Sequence, residues 1–301
     1  MSDFQQQASG ANLYRGRIAP SPTGLLHLGH ARTFWIAQLR AVNRTLVYRE
    51  DDLDGPRCRR EFADAAMEDL RWLGLRWAEG PDVGGARGPY RQSERMDFYT
   101  AAFERLFEAG LVYPCKCSRR DIANALSAPH AGEEEAVYPG TCRAVVKKSE
   151  IRIEDRAWAK VGGSNPKSEM NWRFRLNDGE SFIFNDECSG AQRAVSGLDF
   201  GDFVVWRKDG FPSYQLACVV DDALMGITEV VRGEDLITST FRQLALYRAL
   251  GWKAPAFYHC PLVVDEKGMR LAKRHHALSL RTLREQGKSA EELRSGWGVA
   301  S

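Results

Sequence analysis

Residues Ile18 to Thr33 read "IAPSPTGLLHLGHART", two prolines and a glycine set just before two histidines three residues apart. The prolines and Gly24 interrupt any regular element, so PSPTG reads as a loop. Ahead of it, Tyr14 to Ala19 reads as a short strand. Behind it, His27 to Val42 reads as a helix whose apolar surface comes from Leu28, Phe34, Trp35, Ala37, Leu39 and Val42. "TLVYRED", beginning at Thr45, is a second strand. Strand, glycine-bearing turn, helix and strand make a βαβ unit, the building block of a doubly wound parallel sheet. The fold class is therefore α/β, with a Rossmann-like parallel-sheet domain.

A helix that starts near His27 turns its unsatisfied N–H groups and the positive end of its dipole toward the preceding loop, which favours an anion there. Gly24 and Gly29 allow backbone and phosphate to approach closely. His27 and His30 share a helix face and can both donate to phosphate oxygens. Either histidine alone is most simply an ordinary polar residue; the pair at a helix start is what points to phosphate chemistry.

Outward from this unit, amphipathic helices are expected from about Glu61 to Leu73 and from about Ser93 to Ala109. Residues 113 to 143 are rich in Cys, Pro and Gly and read as a small metal-stabilised insertion. Within it, Cys115-Lys116-Cys117 and Tyr138-Pro139-Gly140-Thr141-Cys142 form CxC followed by YxxxC. Three thiolates with an oxygen or nitrogen fourth ligand suit tetrahedral zinc. Chemistry alone leaves the fourth position open, with His130 a rival to Tyr138. Cys58, Cys188, Cys218 and Cys260 read as ordinary thiols.

"NWRFRLNDGESFIFND", from Asn171, alternates around Asp178-Gly179 and reads as a hairpin. The helix "SYQLACVVDDAL", the strand "ITEVVRG" and a helix from Asp235 to Leu250 resume the α/β alternation, and "FYHCPLVVDEKGMRLAKRHHA" is a strand running into a basic loop. The expected division is a flexible terminus over 1–13, the first half of the catalytic domain over 14–112, the zinc-bearing insertion and hairpin over 113–199, the second half over 200–282, and a polar tail over 283–301.

Lys and Arg total 42 against 40 Asp and Glu, a net charge of +2 over 301 residues, which excludes a wholesale polycationic nucleic-acid binder. The polar start "MSDFQQQASGANL" is no signal peptide, and no apolar run approaches the roughly 18 residues of a membrane span. Seven cysteines, an odd number at uneven spacing, suit a reducing compartment. A soluble, cytoplasmic, monomeric protein is expected.

"RIAPSPTGLLHLGHART" resembles the HIGH signature of class I aminoacyl-tRNA synthetases, with HLGH in the signature position. "RIAPSPTG", "LVYREDDLDGPR", "SYQLACVVDD" and "VRGEDL" resemble, in order, motifs of the glutamyl branch. The resemblance runs from about Arg15 to Leu280. It implies that His27, Gly29 and His30 bind ATP, taken with Mg2+, and that His27 and His30 stabilise charge on its α-phosphate as a carboxylate attacks. No covalent nucleophile is implied; positioning and electrostatics carry such a reaction.

For L-glutamate the resemblance implies Arg17 and Arg232 at carboxylates, Ser21 and Tyr214 as hydrogen-bonding groups, Ala19 beside them, and an acid after Arg49 for the ammonium. That acid is Asp51, where the family usually carries glutamate. In "GMRLAKRHHA" the Lys-Met-Ser-Lys-Ser loop of the class is reduced to Arg270-Leu271-Ala272-Lys273-Arg274, which keeps Lys273 as the catalytic cation, offers Arg270 as a second, and loses a hydroxyl at Ala272. The short glutamyl-like enzymes also carry CxC plus YxxxC, which implies Cys115, Cys117, Tyr138 and Cys142 as ligands of one structural zinc.

Full glutamyl-tRNA synthetases continue past the basic loop into a helical domain that reads the anticodon, whereas this chain ends at Ser301. With the zinc pattern, this narrows the resemblance to the glutamyl-Q tRNA(Asp) synthetase family, which places glutamate on the queuosine base in the anticodon stem-loop of tRNA(Asp). Two other readings stand beside it: a conventional charging enzyme without its anticodon module, and an inactive paralogue kept as a binding protein.

Overall fold

The computed structural model describes residues 14–117, 137–143, 170–262, 279–295 and 297. Strand β1 (Arg15–Ile18), helix α1 (Leu28–Arg40) and strand β2 (Thr45–Tyr48) form the expected βαβ unit, with β1 and β2 parallel and Ile18 opposite Tyr48. Helix α1 stops at Arg40, so Val42 lies beyond it and is exposed, and the helix buries Ala31, Phe34, Ile36 and Ala37 instead. Helices α2 (Arg60–Trp72) and α3 (Met96–Glu108) follow where amphipathic periodicity places them.

Strands β3 (Val112–Cys115), β4 (Asn171–Phe174) and β7 (Phe203–Trp206) make a separate antiparallel sheet in the order β3-β4-β7. Strands β5 (Ser181–Asp186) and β6 (Gly190–Val195) pair with each other. The expected hairpin around Asp178-Gly179 is therefore not formed: its two strands go to different sheets. Alternation shows that a segment is extended but not which partner it takes, and here β3 and β7 occupy both edges of β4 while β6 takes β5.

Helix α4 (Tyr214–Leu224), strand β8 (Glu229–Gly233), helix α5 (Ile237–Ala249) and strand β9 (Ala256–Cys260) complete a mixed sheet in the order β6-β5-β9-β8, in which β5, β9 and β8 run parallel as expected and β6 is antiparallel to β5. The N–H of Thr228 donates to the Arg15 carbonyl at 2.9 Å, which lays the β1–β2 pair beside β8. Ile18, Phe34, Leu46, Tyr48 and Leu70 pack one core around these strands, and Phe103, Trp172, Trp206 and Leu246 a second between α3, α4, α5 and the antiparallel sheet.

The described part of the polar C-terminal stretch is docked. Helix α6 (Leu280–Glu285) buries Leu280 and Leu283, and helix α7 (Ala290–Arg294) begins at a capping box between Ser289 and Glu292. Arg294 lies over the Trp35 ring, and Arg281 and Arg284 pair with Glu68 of α2. Among the described residues no helix is long and apolar enough to cross a membrane.

Candidate active site and thiol cluster

The ends of β1, β2 and β8 open on the same side of the sheet, the edge at which open α/β folds bind ligands. At the first, His27 caps α1: its Nδ1 accepts from the N–H of Gly29 at 3.2 Å and of His30 at 3.4 Å. An accepting Nδ1 leaves the proton of a neutral imidazole on Nε2. The His27 and His30 rings stack with centroids 3.7 Å apart, so the pair is brought together as expected. Gly29 has a reason the sequence does not reveal: a Cβ there would stand 3.2 Å from the His27 ring. At Gly24 such a Cβ would meet nothing within 4 Å among the described residues beyond its chain neighbours.

Arg270, Ala272 and Lys273 of the basic loop, and His130, lie outside the described residues. The chain on either side of the loop is tied to α1. Arg32 donates to the Pro261 carbonyl at 2.8 Å, Ser279 forms a bridge with His27, and the N–H of Leu280 donates to the Leu26 carbonyl at 2.8 Å.

Four of the glutamate candidates, Arg17, Asp51, Tyr214 and Arg232, come together from β1, the end of β2, the start of α4 and β8. Arg17 is buried, donates from Nη1 to the Val231 carbonyl at 2.8 Å and holds Nε 3.7 Å from Asp222. Arg49 is fully buried. Its Nη1 donates to Asp222 at 2.6 Å, and its Nε and Nη2 reach the two Asp51 oxygens at 2.7 and 3.3 Å. Asp51 is thus held back on Arg49, and burial pushes its carboxyl up to about 6 against the lowering effect of that arginine. The flanking acids point elsewhere, Glu50 to Arg91 and Asp52 to Ser93. The N–H of Asp51 donates to the Pro20 carbonyl at 3.0 Å, joining the end of β2 to the loop that carries Ala19 and the exposed Ser21.

Arg232, on β8, is also buried and donates to the hydroxyl of Tyr214 at 3.4 Å, to Thr240 at 2.7 Å and to Nε2 of His259 at 3.2 Å. Tyr214, at the start of α4, is 41% exposed, and the charges of Arg232, Arg17 and Asp51 all reach its phenol. Sequence reasoning missed Asp222, Thr240 and His259. The available signal was polar residues inside apolar runs, as in "CVVDD" and "FYHC".

Apart from this pocket, the thiols of Cys115, Cys117 and Cys142 lie within 4.8 Å of one another. The Tyr138 hydroxyl is 3.5 Å from the Cys115 sulfur and 3.6 Å from that of Cys117. Residues 137 and 138 cross directly over Gly201, where a Cβ would stand 2.9 Å from the Tyr138 nitrogen. Tyr113 and Arg143 both bond Asp202, holding the two arms of the cluster to the body.

A family model described as the catalytic domain of class I tRNA synthetases (E and Q) matches residues 14–298. The chain is 49% identical over 281 residues to a glutamyl-Q tRNA(Asp) synthetase of Symbiobacterium thermophilum, covering 92% of this chain and 83% of that one. It is 46% identical over 284 residues to the Nitratidesulfovibrio vulgaris protein of the same description, covering 93% and 84%. Among solved structures, a glutamate-tRNA synthetase from Elizabethkingia anophelis matches with a TM-score of 0.72 at 29% identity, over 92% of this chain and 54% of that one.

Proposed function

The chain belongs to the class I tRNA synthetases of the glutamyl and glutaminyl type, and from that premise we propose that it activates L-glutamate with ATP and transfers it to the queuosine base of tRNA(Asp). In the first step a glutamate carboxylate oxygen attacks the α-phosphate, forming glutamyl-adenylate and releasing pyrophosphate. In the second a queuosine hydroxyl attacks the acyl carbon, its proton is lost and AMP leaves. The observation that carries the reading is the stacked His27–His30 pair at the start of α1, with both flanks of the basic loop tied to the same helix. In this reading His27, His30 and Lys273 meet the phosphates, with Gly29 and Arg270 beside them. Arg17, Ala19, Ser21, Asp51, Tyr214 and Arg232 receive glutamate.

The donor set at Cys115, Cys117, Cys142 and Tyr138 fits one zinc ion. Tetrahedral thiolates about 2.3 Å from a metal stand roughly 3.8 Å apart, and the Cys117 and Cys142 sulfurs are 3.5 Å apart. The ion would serve structure, fastening the two arms of the cluster. One equivalent of zinc is expected by metal analysis and less than a tenth of that in Cys117→Ser; full retention in the variant would discard this ligand set.

The deciding experiment locates labelled glutamate on RNA. Recovery in the anticodon fragment of queuosine-containing tRNA(Asp), and none when guanosine replaces queuosine, is expected. Recovery at the terminal adenosine of tRNA(Glu) would favour a charging enzyme, and no ATP–pyrophosphate exchange with glutamate would favour a binding protein.

A further inference from the structure

The pocket arginine on β8 is backed by two groups that the motif reading does not touch. In the parallel register Arg232 stands opposite His259 on β9, and Asp186 on β5 stands opposite Phe257, two residues before His259 and on the same face. The three polar side chains therefore cross three adjacent strands in one row. Asp186 and His259 are fully buried. One Asp186 oxygen accepts from the N–H groups of Cys188 and Ser189 in the β5–β6 turn at 3.0 and 2.8 Å. The other lies 2.6 Å from His259 Nδ1. A carboxylate there can only accept, so the imidazole proton sits on Nδ1 and Nε2 is left as an acceptor. Nε2 meets Arg232 Nε–H at 3.2 Å and the Thr240 hydroxyl at 2.9 Å. Burial, with the Arg232 charge, pushes the imidazole down to about 4, which keeps it neutral.

We propose that Asp186 and His259 are positioning residues that fix the guanidinium of Arg232 for the glutamate carboxylate, Asp186 by setting the tautomer and His259 by accepting Nε–H. The proposal rests on the reading of Arg232 as a glutamate-binding residue. Contacts to His259, Tyr214 and Thr240 take Nε–H and one N–H on each terminal nitrogen; a carboxylate takes the remaining pair of the five as a fork. The opposite tautomer would turn an N–H of the imidazole against Arg232 Nε–H and swing the fork. The β5–β6 hairpin thereby becomes part of the amino-acid site.

Asp186→Asn tests this with little change of shape. Its oxygen must stay on the Cys188 and Ser189 N–H groups, so its amide nitrogen faces Nδ1 and forces the proton to Nε2. In ATP–pyrophosphate exchange the KM for glutamate is expected to rise at least tenfold, with kcat changed by less than threefold and the KM for ATP unchanged. His259→Gln, whose amide oxygen can accept from Arg232, should recover most of the affinity that His259→Phe loses. In an Arg232→Ala background, Asp186→Asn should add less than twofold, because the relay acts only through that arginine. Nitrogen-15 NMR of the wild-type protein should show His259 protonated at Nδ1. Protonation at Nε2 there, or an Asp186→Asn effect that multiplies with Arg232→Ala, would overturn the relay and requires no folded variant in the first case. An unchanged glutamate KM in Arg232→Ala alone would instead remove the underlying reading of Arg232.

Discussion

The phosphate end and the glutamate pocket of this site are built on opposite plans. At the phosphate end the described groups come from one contiguous stretch: His27 caps its own helix, stacks on His30 three residues later, and Gly29 between them leaves room for the ring. The groups are half-buried or exposed. In the pocket the polar groups are buried and meet partners far away along the chain, with the Arg49 cation and Asp222 separated by 173 residues and the neutral His259 and Asp186 by 73. The first plan risks little stability and depends on local conformation. The second places charges where water cannot solvate them, so each must keep its counter-ion or its hydrogen-bonding partners.

The sharpest way to break this contrast is at Asp222, which holds both Arg49 at 2.6 Å and Arg17 at 3.7 Å. Asp222→Ala leaves a fully buried guanidinium short of one partner. A loss of about 3–5 kcal/mol in unfolding free energy is expected, measured by urea denaturation, whereas His30→Ala should cost less than about 0.5 kcal/mol, as exposed substitutions usually do. Similar losses at the two positions would end the distinction.

The same contrast explains what could be read from sequence. The βαβ unit, the helices and the histidine pair depend on neighbours within a few residues, so periodicity and punctuation reveal them. The cysteines of the thiol cluster were legible because metal sites demand a fixed spacing of soft ligands. Strand partnership was not legible: the pattern around Asp178-Gly179 is extended on both sides, yet β4 and β5 enter different sheets. Nor was the floor of the pocket, since His259 inside "FYHC" and Asp222 inside "CVVDD" look like interruptions of buried segments until their partners are known.

Kinetics should separate the two ends by a smaller margin. His27→Ala and His30→Ala are expected to lower kcat for ATP–pyrophosphate exchange at least tenfold, about 1.4 kcal/mol, with the KM for glutamate unchanged. Asp51→Asn should raise the glutamate KM about tenfold and spare kcat. Because burial raises the Asp51 carboxyl to about 6 from the usual 3.8, it is neutral below that value and charged above it. The glutamate KM should therefore fall as pH rises through about 6 and level off, and the Asn variant should lose this dependence. The free amino acid cannot mimic that step, since its own side-chain carboxyl ionises near 4.3 and its ammonium much higher. A wild-type KM that is flat between pH 5 and 7 would move the ammonium contact away from Asp51.

The smallest expected effect separates two glycines within the phosphate end itself. At Gly29 a methyl would stand 3.2 Å from the His27 ring, so the ring must shift by a few tenths of an ångström. The backbone there is already helical, and alanine is favoured over glycine in a helix by about 1 kcal/mol. Gly29→Ala should consequently leave the protein as stable as before or more so while lowering kcat about threefold, roughly 0.7 kcal/mol of barrier. At Gly24 a methyl meets no atom among the described residues beyond its chain neighbours, so stability should stay within about 0.5 kcal/mol and a kinetic effect would point to the ligand. If the loop lies against the triphosphate, Gly24→Ala raises the KM for ATP and not that for glutamate. Unchanged ATP kinetics in Gly24→Ala, beside a slowed Gly29→Ala, would leave the phosphate site to the helix cap and its two histidines, with the preceding loop serving only to turn the chain.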